Sequence, residues 1–511
     1  LTLRAYAAWG ERCVEHFIGE FAIVLFDERN QSLFCARDHL GDRTLFYARQ
    51  GSRVVVASEP WAILALPEFV AQADDVAAAH FFSFRAPQDG RTLFKDVFEL
   101  LPGCQFSIKN GNLTAPSPYW QPDPTHTIRY KSDHEYAEHF LLLMDEAVRC
   151  RMRGSTQPVI LMSGGLDSTT IASLAARQIA PRQLSTYSYV FDQFHDCDER
   201  EYIQAVKEKY NTRSIEINCD DLWPFYNWPE WLPYPNYPIS NFYWPLRQRI
   251  YRQAYQDGVR ILLNGDFGDH LYYDDTGWLA DLFFDGRVAR VGKEFRYHLS
   301  SKELREYLFR IPFRRFARRV LNLLPGGAFI RRNQTQMGKP WLTQACRDVL
   351  PERKQDLFSS YFDSLFDLYS SQLSPMDPFA TTSPVLELRK PCRDFRLVQF
   401  MTEIPSYQLY QLGVRRHILR NAMRGILPDK VRSRRNKTGL YSMYFYGLQQ
   451  QGEALGQFFQ ETFPLWGQYV DKQWLLTRWN LFFDASQDGA EKVVPWLCLA
   501  YTIWYKKFIR L

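Results

Sequence analysis

Residues 158–177 read P-V-I-L-M-S-G-G-L-D-S-T-T-I-A-S-L-A-A-R, a strand, a turn and a helix in succession. Residues 159–162 are the short apolar run of a buried strand. Ser163-Gly164-Gly165 turns the chain and Asp167-Ser168 opens a second segment. There Ile171, Leu174, Ala175 and Ile179 recur at the spacing of one helical face. Glycines at the turn let the backbone approach a ligand closely, and a helix N-terminus aims free N–H groups at it. The pattern therefore predicts an anion cradle. Ser163 and Ser168 add hydroxyl donors, and Asp167 can hold a metal against phosphate oxygens. No lysine follows the glycines, so this is not a Walker loop, and the glycine spacing does not fit a dinucleotide fingerprint.

Working outward, the segment leading into the strand at 159–162 predicts a helix with Tyr136, Phe140, Leu141, Met144 and Val148 on one face. Beyond the cradle come a strand at 184–190, a helix at 199–210 with Ile203, Val206 and Tyr210 aligned, and a strand at 214–218. A helix at about 245–257 leads to a strand at 260–263. Strands separated by helices predict a doubly wound parallel sheet, whose ligands collect at the carboxyl ends of the strands. That edge would carry both the Ser163 turn and the loop at 264–270, N-G-D-F-G-D-H. Two carboxylates among glycines directly after a buried strand suit a magnesium ion and a polar reaction centre.

Residues 18–58 predict a β-meander: short strands at 18–26, 32–37, 45–47 and 54–57 with polar turns between them. Between two of them lies R-D-H-L-G-D-R (37–43), whose Asp-His pair is read as fixing a turn rather than as catalytic. Cys13 and Cys35 are read as packing cysteines. Residues 121–132, Q-P-D-P-T-H-T-I-R-Y-K-S, predict a linker. The 511 residues suggest about two to four domains with ample core. The net charge of +5 is too small to imply a nucleic-acid partner. Nine cysteines without a CxxC pair argue for reduced thiols in a cytoplasmic protein, and no apolar run predicts a membrane span. The chain opens at Leu1, which suggests that it begins inside a longer protein.

The hexapeptide S-G-G-L-D-S resembles the pyrophosphate loop of ATP pyrophosphatases. Further segments narrow the resemblance to asparagine synthetase. G-E-F-A-I-V-L-F-D (19–27), A-R-D-H-L-G (36–41), A-S-E-P-W-A-I-L (57–64), L-P-G (101–103) and Tyr119-Trp120 are similar to the latter part of that family's glutaminase domain. L-E-L-R-K-P-C-R-D-F-R-L-V (386–398) and G-I-L-P-D-K-V (425–431), followed by R-R-N-K-T-G-L (434–440), are similar to its synthetase domain. The resemblance implies an α/β chain: a partial amino-terminal nucleophile-hydrolase-like domain at 1–120, a linker at 121–132, and an ATP pyrophosphatase domain at 133–511 with a helical carboxyl-terminal part.

It also implies the chemistry. ATP would lie on Leu161, Ser163, Gly164, Gly165, Leu166, Asp167, Ser168, Val190 and Gly265, with magnesium on Asp167 and Asp269. Lys437 would stabilise departing pyrophosphate. Asp266, standing where the family has glutamate, would assist attack by a nitrogen nucleophile on an acyl adenylate. The acceptor would be a small-molecule or peptide carboxylate, and the nitrogen would be ammonia from glutamine or an amine within the substrate. A precursor peptide or a second copy would be a further partner. Asn264 for serine, Asp266 for glutamate and Cys392-Arg393 for Phe-Leu depart from the family pattern and leave the acyl substrate open. The family's cysteine nucleophile lies upstream of Leu1, so no residue here is assigned to glutamine hydrolysis.

Beside this reading stand a ring-closing amide synthetase of the β-lactam-synthetase or lasso-peptide-cyclase type, and an inactive peptide-binding homologue. Three other segments carry a reading. The aromatic segment from Cys219 to Tyr243, which includes W-P-F-Y-N-W-P-E-W-L-P-Y-P-N-Y-P, would line a cleft or form a rigid cover. The basic run from Lys302 to 319 is a solvated helix face or a docking surface. Glu387 and Arg389 form a structural pair.

Overall fold

A computed structural model describes the chain except for residues 86, 124–125, 155–156, 232–235, 239–242, 273–276, 311, 314–315, 318–319, 321–338, 351–385, 484–489 and 510–511. In the amino-terminal part, β1 (Ala22–Asp27) pairs antiparallel with β2 (Ser32–Arg37), and β3 (Phe46–Gln50) with β4 (Arg53–Ala57). The predicted meander is thus corrected in its pairing. β2 passes not to β3 but to β6 (Cys104–Lys109), which also pairs with the short β7 (Asn112–Leu113) and β8 (Ser117–Pro118), and β3 takes β5 (Val97–Glu99), so the strands divide between two sheets.

The turn at residues 37–43 causes the division. Asp38 accepts N–H bonds from Leu40 (3.2 Å), Asp42 (3.0 Å) and Arg43 (2.9 Å), and Arg37 donates to the Arg43 and Gly41 carbonyls. His39 stacks on Phe395 at 4.1 Å. The Asp-His pair is a structural corner. Cys13 and Cys35 are buried packing thiols, as their contexts predicted.

The second part is built on a parallel sheet. Among the described residues its order is β11 (Arg213–Asn218), β10 (Ser185–Val190), β9 (Val159–Leu161), β12 (Ile261–Leu263) and β13 (Glu387–Arg389). The cradle strand β9 is the middle one. Its apolar run is continuous because alternate residues feed opposite faces. Val159 and Leu161 join the core beneath the helix Trp244–Gln256. Ile160 and Met162 join the core under the helices Asp133–Arg151 and Leu166–Ile179. The helix Asp133–Arg151 starts at a capping box, Ser132 with Glu135. The edge strand β13 had no strand signal in the sequence.

The first of these cores draws on residues from both sides of 121–132. Phe46, Phe82 and Phe94 of the amino-terminal part lie in one cluster with Tyr469, Trp496, Tyr501 and Trp504. Phe82 sits 5.1 Å from both Tyr469 and Tyr501, and Phe94 4.9 Å from Trp504. The aromatic stretch joins the same core: Phe225, Trp228 and Trp231 are buried, with Trp231 at 5.2 Å from Trp496. Its buried described aromatics are core residues. The helix Lys302–Arg310 carries part of the basic run on its surface, with Lys302 4.0 Å from Glu306. Arg314, Arg315, Arg318 and Arg319 lie outside the described residues. No helix among the described residues is long and apolar enough to cross a membrane.

Candidate active site

Strands β9 and β12 are neighbours and parallel, so the turns at their carboxyl ends meet. They meet closely enough that only glycine fits. A Cβ on Gly265 would stand 2.9 Å from the Ser168 nitrogen, and one on Gly268 would stand 2.3 Å from Asp167 Cγ. On the far side, a Cβ on Gly164 would come within 2.8 Å of the Cβ atoms of Glu199 and Tyr202.

The cradle turn is tied by its own hydroxyls. The Ser163 N–H donates to Ser168 Oγ at 3.1 Å, and that hydroxyl donates to the Ser163 carbonyl at 2.9 Å. The helix Leu166–Ile179 begins at Gly165, which offers no side-chain cap. Its first-turn N–H groups therefore have no side-chain acceptor and face the loop edge, where an anion would be favoured. Leu161 is half-buried at the end of β9, while Val190, at the end of β10, is sunk in the core.

Four charged side chains converge on this edge. Arg416 donates from one nitrogen to both Asp167 oxygens, at 2.9 and 2.8 Å, and from the other to Asp269 Oδ1. Lys437 donates to the second Asp269 oxygen. Burial raises the Asp167 carboxyl above the ordinary range, with Arg416 working against it. Burial also acts on Asp269, but Arg416 and Lys437 outweigh it and hold that carboxyl below its ordinary value.

Asp266 stands apart from this group. It is gripped by Arg247 through two bonds of 3.0 Å and by Asn264 Nδ2 at 2.9 Å. Burial opposes its ionisation, yet Arg247 and Lys390 keep its carboxyl below the ordinary value.

The predicted residues Ser163, Gly164, Gly165, Leu166, Asp167, Ser168, Gly265, Asp266, Asp269 and Lys437 thus lie along one sheet edge. Arg416, Arg247, Glu199 and Arg434 were not singled out from sequence. Arg416 lies 249 positions from Asp167 in a stretch rich in arginine, and no local pattern separates it from its neighbours. Glu387 and Arg389 pair at 3.1 Å, and Arg389 also donates to the Arg151 and Arg153 carbonyls, the structural role foreseen for them.

The Asparagine synthase family matches residues 139–283 and 364–506, more than half of the chain, and the Glutamine amidotransferase domain matches residues 1–120. The chain belongs to the asparagine synthase family. Within it, glutamine-hydrolysing asparagine synthetase 3 of Bacillus subtilis is 26% identical over 84% of this chain and 68% of its own length. Asparagine synthetase 1 of the same organism is 22% identical over 99% of this chain and 80% of its own length. Amidase chry2 of Gibberella zeae is 23% identical over 60% of this chain, a match that spans 48% of that amidase. The chain spans about half the length of several of the curated relatives it matches.

Proposed function

We propose that the site forms an amide bond at the expense of ATP, by adenylating a substrate carboxylate and passing the acyl group to a nitrogen nucleophile. One observation carries this reading. The loop 264–269 is laid directly on the S-G-G-L-D-S turn, and Asp167, Asp269, Arg416 and Lys437 form one charge cluster there. Membership in the asparagine synthase family supports it.

The substrate carboxylate oxygen attacks the α-phosphorus, the bond between the α- and β-phosphates breaks, and pyrophosphate leaves. The N–H groups of the turn and of the first helical turn, with the Ser163 and Ser168 hydroxyls, bind the pyrophosphate portion. Lys437 and Arg416 offset its growing charge. Asp167 and Asp269 fit a magnesium ion. Their facing oxygens already share one cation, the Arg416 guanidinium. Magnesium is commonly held by one or two carboxylates with phosphate oxygens and water completing its shell. When bound, the metal would neutralise phosphate charge and orient the reacting groups.

The nucleophile then attacks the acyl carbon and AMP departs. Asp266, held ionised by Arg247, stabilises the ammonium character that develops on the attacking nitrogen. The nitrogen source assigned is ammonia released from glutamine, in keeping with the amidotransferase match at 1–120.

The test is exchange of labelled pyrophosphate into ATP, dependent on added carboxylates and peptides. Exchange that falls at least about 100-fold in Asp167→Ala is expected. Absence of exchange across a broad panel would overturn the enzyme reading, and exchange that survives Asp167→Ala would overturn the site assignment.

A further inference from the structure

Lys437 is the most exposed member of the charge cluster, at 72%, and is held by a bond to Asp269. Something else must set the height of its turn above the cradle. Arg434 has the geometry for this. Its side chain is 7% exposed, and its guanidinium carbon lies over the Tyr202 ring, 4.0 Å from the centroid.

One edge of the guanidinium holds the cradle. Nη1 donates to the Gly164 carbonyl at 3.0 Å and to Glu199 Oε1 at 2.7 Å, while Glu199 Oε2 accepts the Gly164 N–H at 3.0 Å. The Gly164 peptide is thereby gripped at both ends. The other edge holds the Lys437 turn on both sides of the lysine. Nε donates to the Asn436 carbonyl at 2.8 Å, and Nη2 donates to Thr438 Oγ1.

We infer that Arg434, braced by Glu199, is a positioning residue that fixes Lys437 in register over the Ser163–Ser168 turn. A planar group with donors along both edges can span the two elements at once; an ammonium is a point charge and cannot. Arg434→Lys therefore keeps a cation beside Glu199, so the half-buried carboxylate stays paired, but it releases the lysine turn. The role as a tuner of turnover rests on the adenylation reading above; the role in placing Lys437 does not.

Two measurements separate these. The first needs no activity. The rate at which an amine-reactive acylating reagent labels Lys437, followed by mass spectrometry, should rise about 3-fold or more in Arg434→Lys at unchanged melting temperature, because the turn no longer holds Lys437 on Asp269. Unchanged labelling overturns the placement.

The second is a double-mutant cycle on pyrophosphate exchange. Arg434→Lys alone should lower kcat by about 10-fold or more with little change in the KM of the acyl substrate, and should add almost nothing in a Lys437→Ala background. Additive losses would mean that Arg434 acts only on the general fold and would overturn the inference. If Arg434→Lys does not fold, Thr438→Val cuts one tether on the turn alone, and the same labelling rise is expected from it. If the wild-type chain shows no exchange, the adenylation reading falls while the labelling result still decides the placement.

Discussion

Gly268 leaves no room for a side chain, since its Cβ would fall 2.3 Å from Asp167 Cγ. The carboxylate it would displace is the one that Arg416 grips through both oxygens. Gly268→Ala should therefore cost activity out of proportion to stability. An exchange rate lowered about 100-fold, with a melting temperature within a few degrees of wild type, is the expected pair of results. A displaced carboxylate is an error of position, and positions in reacting sites tolerate little. The same pair of measurements on Gly265→Ala, which presses on the Ser168 backbone instead, provides the comparison. At this scale the sequence was informative about glycines and carboxylates, which stand in short local patterns. It was silent about Arg416, Arg247 and Arg434, whose partners lie far along the chain and whose neighbours are also basic.

At the scale of elements, the helices around the site follow from periodicity, and so does one weak point. The helix Val288–His298 contains Gly292, whose added Cβ would meet nothing within 4 Å. Glycine inside a helix is less favourable than alanine by roughly 0.8–1 kcal/mol. Gly292→Ala should accordingly raise stability by about 0.5–1 kcal/mol in a denaturant titration, with exchange activity unchanged. A loss of stability would show that the position faces a partner. Element by element, the strands at 159–162, 184–190, 214–218 and 260–263 and the helices between them were legible, because their alternation and helical spacing are local. β13 was not. Its three residues pair with β12 across more than a hundred positions, and nothing in L-E-L-R distinguishes a strand from a loop until β12 is beside it.

At the scale of the molecule, the amino-terminal sheets and the synthetase sheet share a core and a polar seam. Phe82 sits between Tyr469 and Tyr501, fully buried. Phe82→Ala should destabilise by about 3–5 kcal/mol. Because the cluster holds residues from both sides of 121–132, both parts are expected to melt in one shifted transition, and two separated transitions in calorimetry would refute the shared core.

The seam is ionic. Arg393 bonds Asp42 at 2.6 Å, Arg43 bonds Glu387 at 2.7 Å, and Arg151 lies 3.7 Å from Glu20. Glu20 faces Asp42, Asp38, Arg151 and Arg43, and burial with the Asp42 charge pushes its carboxyl up to about 7. Burial and Asp42 likewise push Asp38 up to about 6. A carboxyl raised in the folded state binds its proton more tightly there than in the unfolded chain. Its contribution is present below the ordinary glutamate value of 4.5 and is lost as the pH climbs to about 7. Melting temperature should fall between pH 5 and pH 7.5, and Glu20→Gln, which cannot ionise, should flatten that fall. An unchanged slope in the variant would place the pH response elsewhere.

The sequence alone determined the local chemistry of this protein. A strand, a glycine turn and a helix start give the same local backbone wherever they fold, and the acidic glycine loop after the buried strand at 260–263 reaches the same edge of the parallel sheet. Those features depend on backbone geometry and on periods of two and 3.6 residues. The tertiary structure alone decided which cations meet the carboxylates. Arg416 between Asp167 and Asp269, Arg247 on Asp266, and Arg434 between Gly164 and the Lys437 turn all arise from long-range packing. Guanidinium groups act through reach and direction, and those are set by where the backbone ends up rather than by the residues beside them.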